Sequence, residues 1–258
     1  MPKKAIFFDI DGTLMHGGRG PFEDDLEAME EATKRGHLLF LNTGRSYANI
    51  QAPLMALSNL YGICAGCGSH ILIREEGIYT TMYRRYLSDE LLKTLIPWII
   101  QQPKSYILEG EQNCYFLNNV KWVTDQTLVN KVHTFEELKE QGPKDYVTKI
   151  TIEGPATPEE RAFLEPLLNV ISYPTYTECI IKGENKARAM ELVIEKLGIR
   201  QEDTLAVGDS ANDIDMVRYA GIGIAVGNAS ADLKAVADHI TAPCGEGGVA
   251  QALREFVL

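Results

Sequence analysis

The sequence predicts an α/β fold, a parallel-sheet core built from both ends of the chain and interrupted by an α+β insert. Three observations predict it. Apolar runs alternate with helical periodicity near the N-terminus, at Ala5 to Phe8 and Leu38 to Leu41, and again near the C-terminus, at Leu205 to Val207 and Ile222 to Val226. Runs that are apolar at every position mark strands covered on both faces, as parallel strands between helix layers are. The middle of the chain carries a polar–apolar alternation instead, Val147-Thr148-Lys149-Ile150-Thr151-Ile152, which predicts an antiparallel sheet with one wet face.

Taken in order, Ala5 to Ile10 is expected as a strand, Phe22 to Arg35 as a charge-rich helix ending at Gly36, Leu38 to Leu41 as a second strand, Ser46 to Asn59 as a helix and Ile63 to Ala65 as a third strand. Near the other end, Lys186 to Leu197 and Ile214 to Tyr219 read as helices around the strands at Thr204 and Ile222. Alternation of this kind implies right-handed crossovers in one sheet, so residues 1–82 and 182–258 are assigned to one domain. Residues 83–181 are assigned to the insert. Its elements are helices at Glu90 to Gln101, Phe135 to Gln141 and Glu159 to Leu168, and strands at Tyr106 to Leu108, Cys114 to Leu117 and Tyr146 to Ile152.

Composition narrows the function. A length of 258 residues suits a core plus an insert, and 45% apolar with 24% charged residues is ordinary for a globular protein. No stretch approaches the roughly 20 apolar residues of a membrane span. The apolar run after Met1-Pro2-Lys3-Lys4 is too short for a secretory signal, so a cytoplasmic location is expected. A net charge of -11 without a Lys/Arg cluster argues against nucleic acid and for a small substrate. The odd, scattered cysteines Cys64, Cys67, Cys114, Cys179 and Cys244 fit reduced thiols. Cys64-x-x-Cys67 has no second Cys/His pair to complete a zinc site, and its surroundings read as a buried strand.

The chemistry is concentrated where apolar runs end. Ala5-Ile6-Phe7-Phe8 drives into Asp9-Ile10-Asp11-Gly12-Thr13. Strand alternation would send Asp9 and Asp11 to the same side at the carboxyl edge, where ligands of open α/β sheets bind, and their mutual repulsion asks for a hard cation. Leu38 to Leu41 runs into Asn42-Thr43-Gly44-Arg45, a hydroxyl with glycine-flanked N–H groups, which is an anion cradle. Leu205-Ala206-Val207 runs into Gly208-Asp209-Ser210-Ala211-Asn212-Asp213 and brings more carboxylates to that edge. Lys186 opens a helix, from which its ammonium would face carboxylates and anion together. The set fits phosphoryl transfer, with Asp9 attacking phosphorus and Asp11 moving the proton.

These motifs resemble those of the haloacid dehalogenase superfamily of phosphatases: D-x-D-G-T at Asp9 to Thr13, the second motif at Thr43-Gly44-Arg45, the third at Lys186 and G-D-x-x-N-D at Gly208 to Asp213. The insert, and the tail around Ala242 to Gly248, resemble the Cof-type subfamily with a type IIB cap. The resemblance implies a Rossmann-like parallel-sheet core, an α+β cap and Mg2+ as cofactor. It implies Asp9 as nucleophile, Asp11 as general acid and base, and magnesium held by Asp9, the Asp11 carbonyl and Asp209, with Asp213 behind them. It also implies phosphate binding by the Ile10 backbone, Thr43, Gly44, Lys186 and Asn212. A small phosphorylated metabolite, sugar phosphates first, is the expected substrate of a monomer or homodimer, with specificity in the cap.

Other readings stay open. A phosphomutase or phosphotransferase would share the aspartyl-phosphate, and a receiver-like phosphoacceptor domain would share the aspartate, metal, hydroxyl and lysine. A calcium loop is disfavoured because Leu14, Met15 and His16 follow the aspartates, and no Gly-Lys-Ser/Thr completes a P-loop. His16 and Arg19 read as surface-loop residues. Tyr83, Tyr86, Trp98, Tyr106, Tyr115, Phe116 and Trp122 read mainly as core of the insert.

Overall fold

A computed structural model of the chain describes residues 2–118 and 130–258, which fall into two compact units. The first comprises Met1–Gly44, Gln51–Tyr83 and Glu184–Leu258. Its strands are β1 (Ala5–Phe8), β2 (Leu38–Asn42), β3 (Leu60–Ala65), β4 (His70–Glu75), β5 (Ile78–Arg84), then, after the insert, Thr204–Gly208, Ile222–Ala225 and His239–Ile240. The second unit comprises Arg45–Ile50 and Arg84–Gly183, with strands β6 (Tyr106–Glu109), β7 (Cys114–Leu117), β8 (Asn130–Lys131), β9 (Lys149–Glu153), β10 (Leu168–Ser172) and β11 (Tyr176–Ile181). The last three strands of the first unit are therefore β12, β13 and β14.

The first unit holds an eight-stranded sheet in the order β14-β13-β12-β1-β2-β3-β4-β5. From β14 to β3 every pair is parallel, and β4 runs antiparallel to β3. The fully parallel sheet expected from sequence is thus corrected at one edge. Glu76 and Gly77, both at positive φ (50° and 85°), turn the chain between β4 and β5, the backbone that a two-residue hairpin loop demands. At the centre, Phe8 is in register with Leu41 of β2 and Val207 of β12, and all four residues of β1 are buried. The three motif-bearing strands therefore end side by side.

Two further expectations are corrected here. Ser46 to Asn59 is not one helix, as α1 (Glu23–Lys34) before it is, but a 3-10 turn (Tyr47–Asn49) and a short α2 (Ala52–Met55), separated by extended Ile50 and Gln51, with Pro53 in the first turn where its missing N–H costs nothing. The segment Arg45–Ile50 groups with the second unit, because the Ser46 N–H and the Asn49 amide reach Glu109 Oε2 at 3.4 and 3.5 Å.

The second unit is a six-stranded sheet, β10-β11-β9-β6-β7-β8, antiparallel except for β7 with β8. Its helices are α3 (Asp89–Ile99), α4 (Phe135–Gln141) and α5 (Pro158–Leu164), capped by Ser88, Thr134 and Thr157, each accepting an N–H of the first turn. The α5 helix stops short of Leu168 because Pro166 has no N–H to continue it. Ile150 and Ile152 enter the core with Leu95, Ile96, Tyr106 and Tyr115. Trp98 stacks on Phe163 at 4.1 Å, Tyr86 is exposed, and Trp122 lies outside the described residues.

The wet face is the other correction. Lys149 is 3% exposed, with its ammonium 2.5 Å from Glu178 and 3.6 Å from Glu109, both also buried. Polar alternation marked the face correctly as polar, but not as solvated. Asp145 organises the adjoining loops: its carboxylate accepts from the N–H groups of Glu111, Gln112, Asn113 and Tyr146 and from the Tyr115 hydroxyl, all at 2.8–3.0 Å. Asp145→Ala is expected to destabilise this unit by about 3 kcal/mol, since several donors to a charged acceptor are orphaned together. Both tryptophans, Trp98 and Trp122, belong to Arg84–Gly183, so urea unfolding followed by tryptophan fluorescence checks it; an unmoved midpoint would contradict it.

Candidate active site

Just past β1 the chain turns sharply. The Ile10 carbonyl accepts the N–H groups of Thr13, Leu14 and Met15, and the Gly12 N–H donates to the Met15 carbonyl at 2.6 Å. Strand geometry therefore ends before Asp11: Asp9 is buried and Asp11 is exposed, yet the Asp11 charge still reaches Asp209 and pushes that carboxyl up. Gly12 sits at φ +87° with its backbone against Asp209, so a Cβ there would stand 2.1 Å from Oδ2 of that carboxylate.

Thr43 and Gly44 leave β2 fully buried. The Thr43 N–H donates to the Cys64 carbonyl and the Thr43 carbonyl accepts from the Cys67 N–H, both at 2.9 Å. The Cys-x-x-Cys segment is thus the frame of the threonine, with Cys67 at φ 53° between two glycines. Burial holds the Cys64 thiol far above its ordinary pKa. All five cysteines are thiols, none of them in a disulfide.

Lys186 is the first residue of α6 (Lys186–Leu197), which Asn185 caps and Gly198 ends in the left-handed region. A lysine there is ordinarily solvated. This one is fully buried, and its ammonium donates to Asp9 Oδ1 and Asp213 Oδ1, each at 2.6 Å. The Asn42 side chain, which sequence reading passed over, donates to the Lys186 carbonyl at 2.9 Å and ties β2 to α6. Its position directly before Thr43, at a strand end that would otherwise be apolar, was the available signal.

After β12, Asp213 turns its second oxygen back on its own loop, accepting from the N–H groups of Asp209 at 3.0 Å and Ser210 at 2.9 Å. Both Asp213 oxygens are engaged. Asn212 accepts from the Ser210 hydroxyl at 3.0 Å. Asp9, Asp209 and Asp213 converge, one oxygen from each lying within 4.8 Å of the others. Among the predicted site residues, Asp9, Lys186, Asp209 and Asp213 are thus brought together, whereas Asp11 contributes no side-chain oxygen to that cluster. His16 and Arg19 are exposed and pair with each other through their backbones.

The electrostatics are unbalanced. Burial raises the Asp9 carboxyl well above its ordinary range, Lys186 opposes that, and Asp213 and Asp209 add to it. Burial, then Asp213, push Asp209 up to about 7 against the pull of Lys186. For Lys186, burial acts downward, but Asp213 and Asp9 together outweigh it and hold the ammonium well above the usual lysine value. Three carboxylates set against one ammonium leave about two negative charges unmatched when all are ionised. Asp209 Oδ1 is buried without a hydrogen-bond partner. An unmatched charge and an orphaned hard oxygen are what a divalent cation fits.

Comparison with known proteins follows the same line. The family of haloacid dehalogenase-like hydrolases matches residues 6–253. The chain belongs to that family. YcsE of Bacillus subtilis (strain 168), a 5-amino-6-(5-phospho-D-ribitylamino)uracil phosphatase, is 30% identical over 270 residues, covering 99% of this chain and 96% of that protein. Among solved structures, the HAD subclass IIB sugar phosphatase BT4131 matches with a TM-score of 0.82 at 29% identity over 98% of this chain and 99% of that one. A haloacid dehalogenase-like hydrolase from Bacteroides thetaiotaomicron matches with a TM-score of 0.83 at 26% identity, over 98% and 99%. The haloacid dehalogenase-like protein is therefore an enzyme of the phosphatase type with a core and an inserted cap, as the motifs implied. Among the described residues no helix is long and apolar enough to cross a membrane.

Proposed function

We propose that the chain is a magnesium-dependent phosphatase of small phosphomonoesters, sugar and sugar-alcohol phosphates first among them, working through an aspartyl-phosphate on Asp9. The observation that carries this is the buried Asp9–Lys186–Asp213 arrangement beside the orphaned Asp209 oxygen. The substrate class is supported by the sugar phosphatase and the phosphoribitylamino-uracil phosphatase that the chain resembles along its length.

Asp9, the Asp11 carbonyl and Asp209 would hold the ion, with Asp213 fixing the Asp209 loop and Lys186. Bound there, magnesium would supply positive charge to the phosphoryl oxygens. Lys186 opposes the upward push of burial on the Asp9 carboxyl and aims it through its 2.6 Å hydrogen bond. An Asp9 oxygen forms a bond to phosphorus as the bond from phosphorus to the ester oxygen breaks. The Ile10 backbone, Thr43, Gly44, Lys186 and Asn212 bind the phosphoryl oxygens as charge spreads over them. Asp11 donates its proton to the leaving alkoxide and then takes one from the water that attacks the aspartyl-phosphate, returning Asp9 and releasing inorganic phosphate. The exposure of Asp11 suits this task, since an acid that exchanges protons with alcohol and water need not be buried.

A phosphate-release screen over sugar phosphates, sugar-alcohol phosphates, nucleotides and short acid phosphates, with and without a chelator, tests the reading. Chelation should abolish release and magnesium restore it. Release that survives chelation would contradict the metal assignment. Asp11→Asn is expected to lower kcat by about 10²- to 10⁴-fold, the usual contribution of a general acid–base group, and to accumulate phospho-enzyme on substrates with good leaving groups. Unchanged steady-state kinetics would remove that role from Asp11.

A further inference from the structure

We infer that Asn228 is a positioning residue that locks the Asp9–Thr13 loop against Asp209 and thereby sets the affinity of the core for a divalent cation; the inference rests on the metal reading above. Asn228 lies in the loop after β13 and is exposed. Burial therefore does not demand its hydrogen bonds, yet both ends of its amide are used. Nδ2 donates to the Gly12 carbonyl at 2.8 Å, and Oδ1 accepts from the Cys244 N–H at 2.7 Å. A donor at one end and an acceptor at the other permit only one orientation of the amide. The Gly12 contact joins residues 216 positions apart, so it is a tertiary tie rather than a local turn.

Gly12 gives this tie its leverage. Its backbone is packed so closely on Asp209 that a Cβ would collide with Oδ2, and the preceding peptide carries the Asp11 carbonyl. The same loop grips Asp209 from the other side: the Ser230 N–H donates to the Asp209 carbonyl at 2.9 Å, and the Val226 N–H to the Gly208 carbonyl at 3.1 Å. One short segment, residues 226–230, thus holds both backbones from which hard oxygens would reach the ion. Groups that orient ligands in this way control affinity because a small cation demands oxygens already at the right spacing. Within the turn the Gly12 N–H is held by the Met15 carbonyl, and Asn228 holds the following peptide from outside the turn through the Gly12 carbonyl.

Titration of the metal-free protein with Mn2+, free Mn2+ being read by electron paramagnetic resonance, tests this apart from turnover. The native protein should bind the ion and Asp209→Asn should not. Asn228→Ala and Asn228→Asp should each raise Kd by about 10- to 100-fold, the range for residues that orient metal ligands. Their metal-free melting temperatures should stay within about 4 °C of the native value, the scale of a lost exposed hydrogen bond. Asn228→Asp keeps an acceptor for Cys244 but sets an oxygen against the Gly12 carbonyl, so it isolates the Gly12 arm. Native affinity in either variant overturns the role of Asn228 and leaves the metal reading intact. A lost affinity accompanied by a much lower melting temperature also overturns it. A native protein that binds no Mn2+, or an Asp209→Asn variant that binds it undiminished, overturns the metal reading itself.

Discussion

Lys186→Met is expected to destabilise the protein by about 3–5 kcal/mol at neutral pH, the cost of leaving buried carboxylates without their cation. The size follows from the geometry. Lys186 is fully buried, and its ammonium is the hydrogen-bond partner of both Asp9 Oδ1 and Asp213 Oδ1. Methionine fills similar volume and keeps the backbone bond from Asn42, so the loss reports charge rather than packing. The sign of its pH dependence is fixed. Asp9 already has a carboxyl raised above its unfolded value, and removing the ammonium raises it further. A carboxyl whose pKa is higher when folded takes up a proton on folding, so stability is gained as the pH falls. The deficit of the variant should therefore shrink between neutral pH and the ordinary aspartate range. Urea unfolding across that interval checks it, and a deficit that is absent or grows toward acid would contradict it. Turnover should fall by about 10²- to 10³-fold or more, the usual loss when a positioned charge stabiliser is removed.

Asp9→Asn should lose turnover on the order of 10⁴-fold or more, because an amide oxygen cannot form the acyl-phosphate. The fold should not suffer. Asparagine still offers Lys186 an acceptor, and one unmatched negative charge leaves a site that burial makes hostile to carboxylates. The melting temperature of the metal-free variant should therefore equal or exceed that of the native protein, the pattern of a group kept for chemistry at a cost in stability. Retained turnover would end the nucleophile assignment. A strong fall in melting temperature would show that Asp9 stabilises the core, contrary to the charge argument.

The core strands were legible because β1 is apolar throughout, and β2 and β12 are apolar apart from Asn42 and Thr204 at their ends, a pattern that a doubly covered strand requires. The helix at Lys186 was legible to the residue, since Asn185 caps it and Gly198 stops it. The hairpin of β4 and β5 was not. His70–Glu75 and Ile78–Arg84 mix polar and apolar residues toward the sheet edge, where β5 is paired on one flank alone, and the turn uses Glu76 at positive φ where asparagine or glycine is the usual signal.

In the site, motif order assembled Asp9, Lys186, Asp209 and Asp213, but strand periodicity did not show that Asp11 lies exposed beyond the end of the strand. Three N–H groups folding back on the Ile10 carbonyl end the strand, and that turn leaves no periodic trace in the sequence. The wet face failed for a related reason: Lys149 reads as solvated until Glu109 and Glu178 are seen to surround it. Asn228 and Asn42 escaped notice because both act through backbone carbonyls of residues distant in sequence.

The central claim is that the phosphoryl group passes through Asp9. Asp11→Asn, mixed with magnesium and an aryl phosphate whose leaving group departs unassisted, then quenched in acid and analysed by peptide mass spectrometry, tests it most directly. The account predicts the mass of one phosphoryl group on the peptide that contains Asp9, and none when Asp9→Asn is added to the same variant. A phosphoryl group on any other residue, or a single-turnover burst of phosphate with no modified peptide, would contradict it.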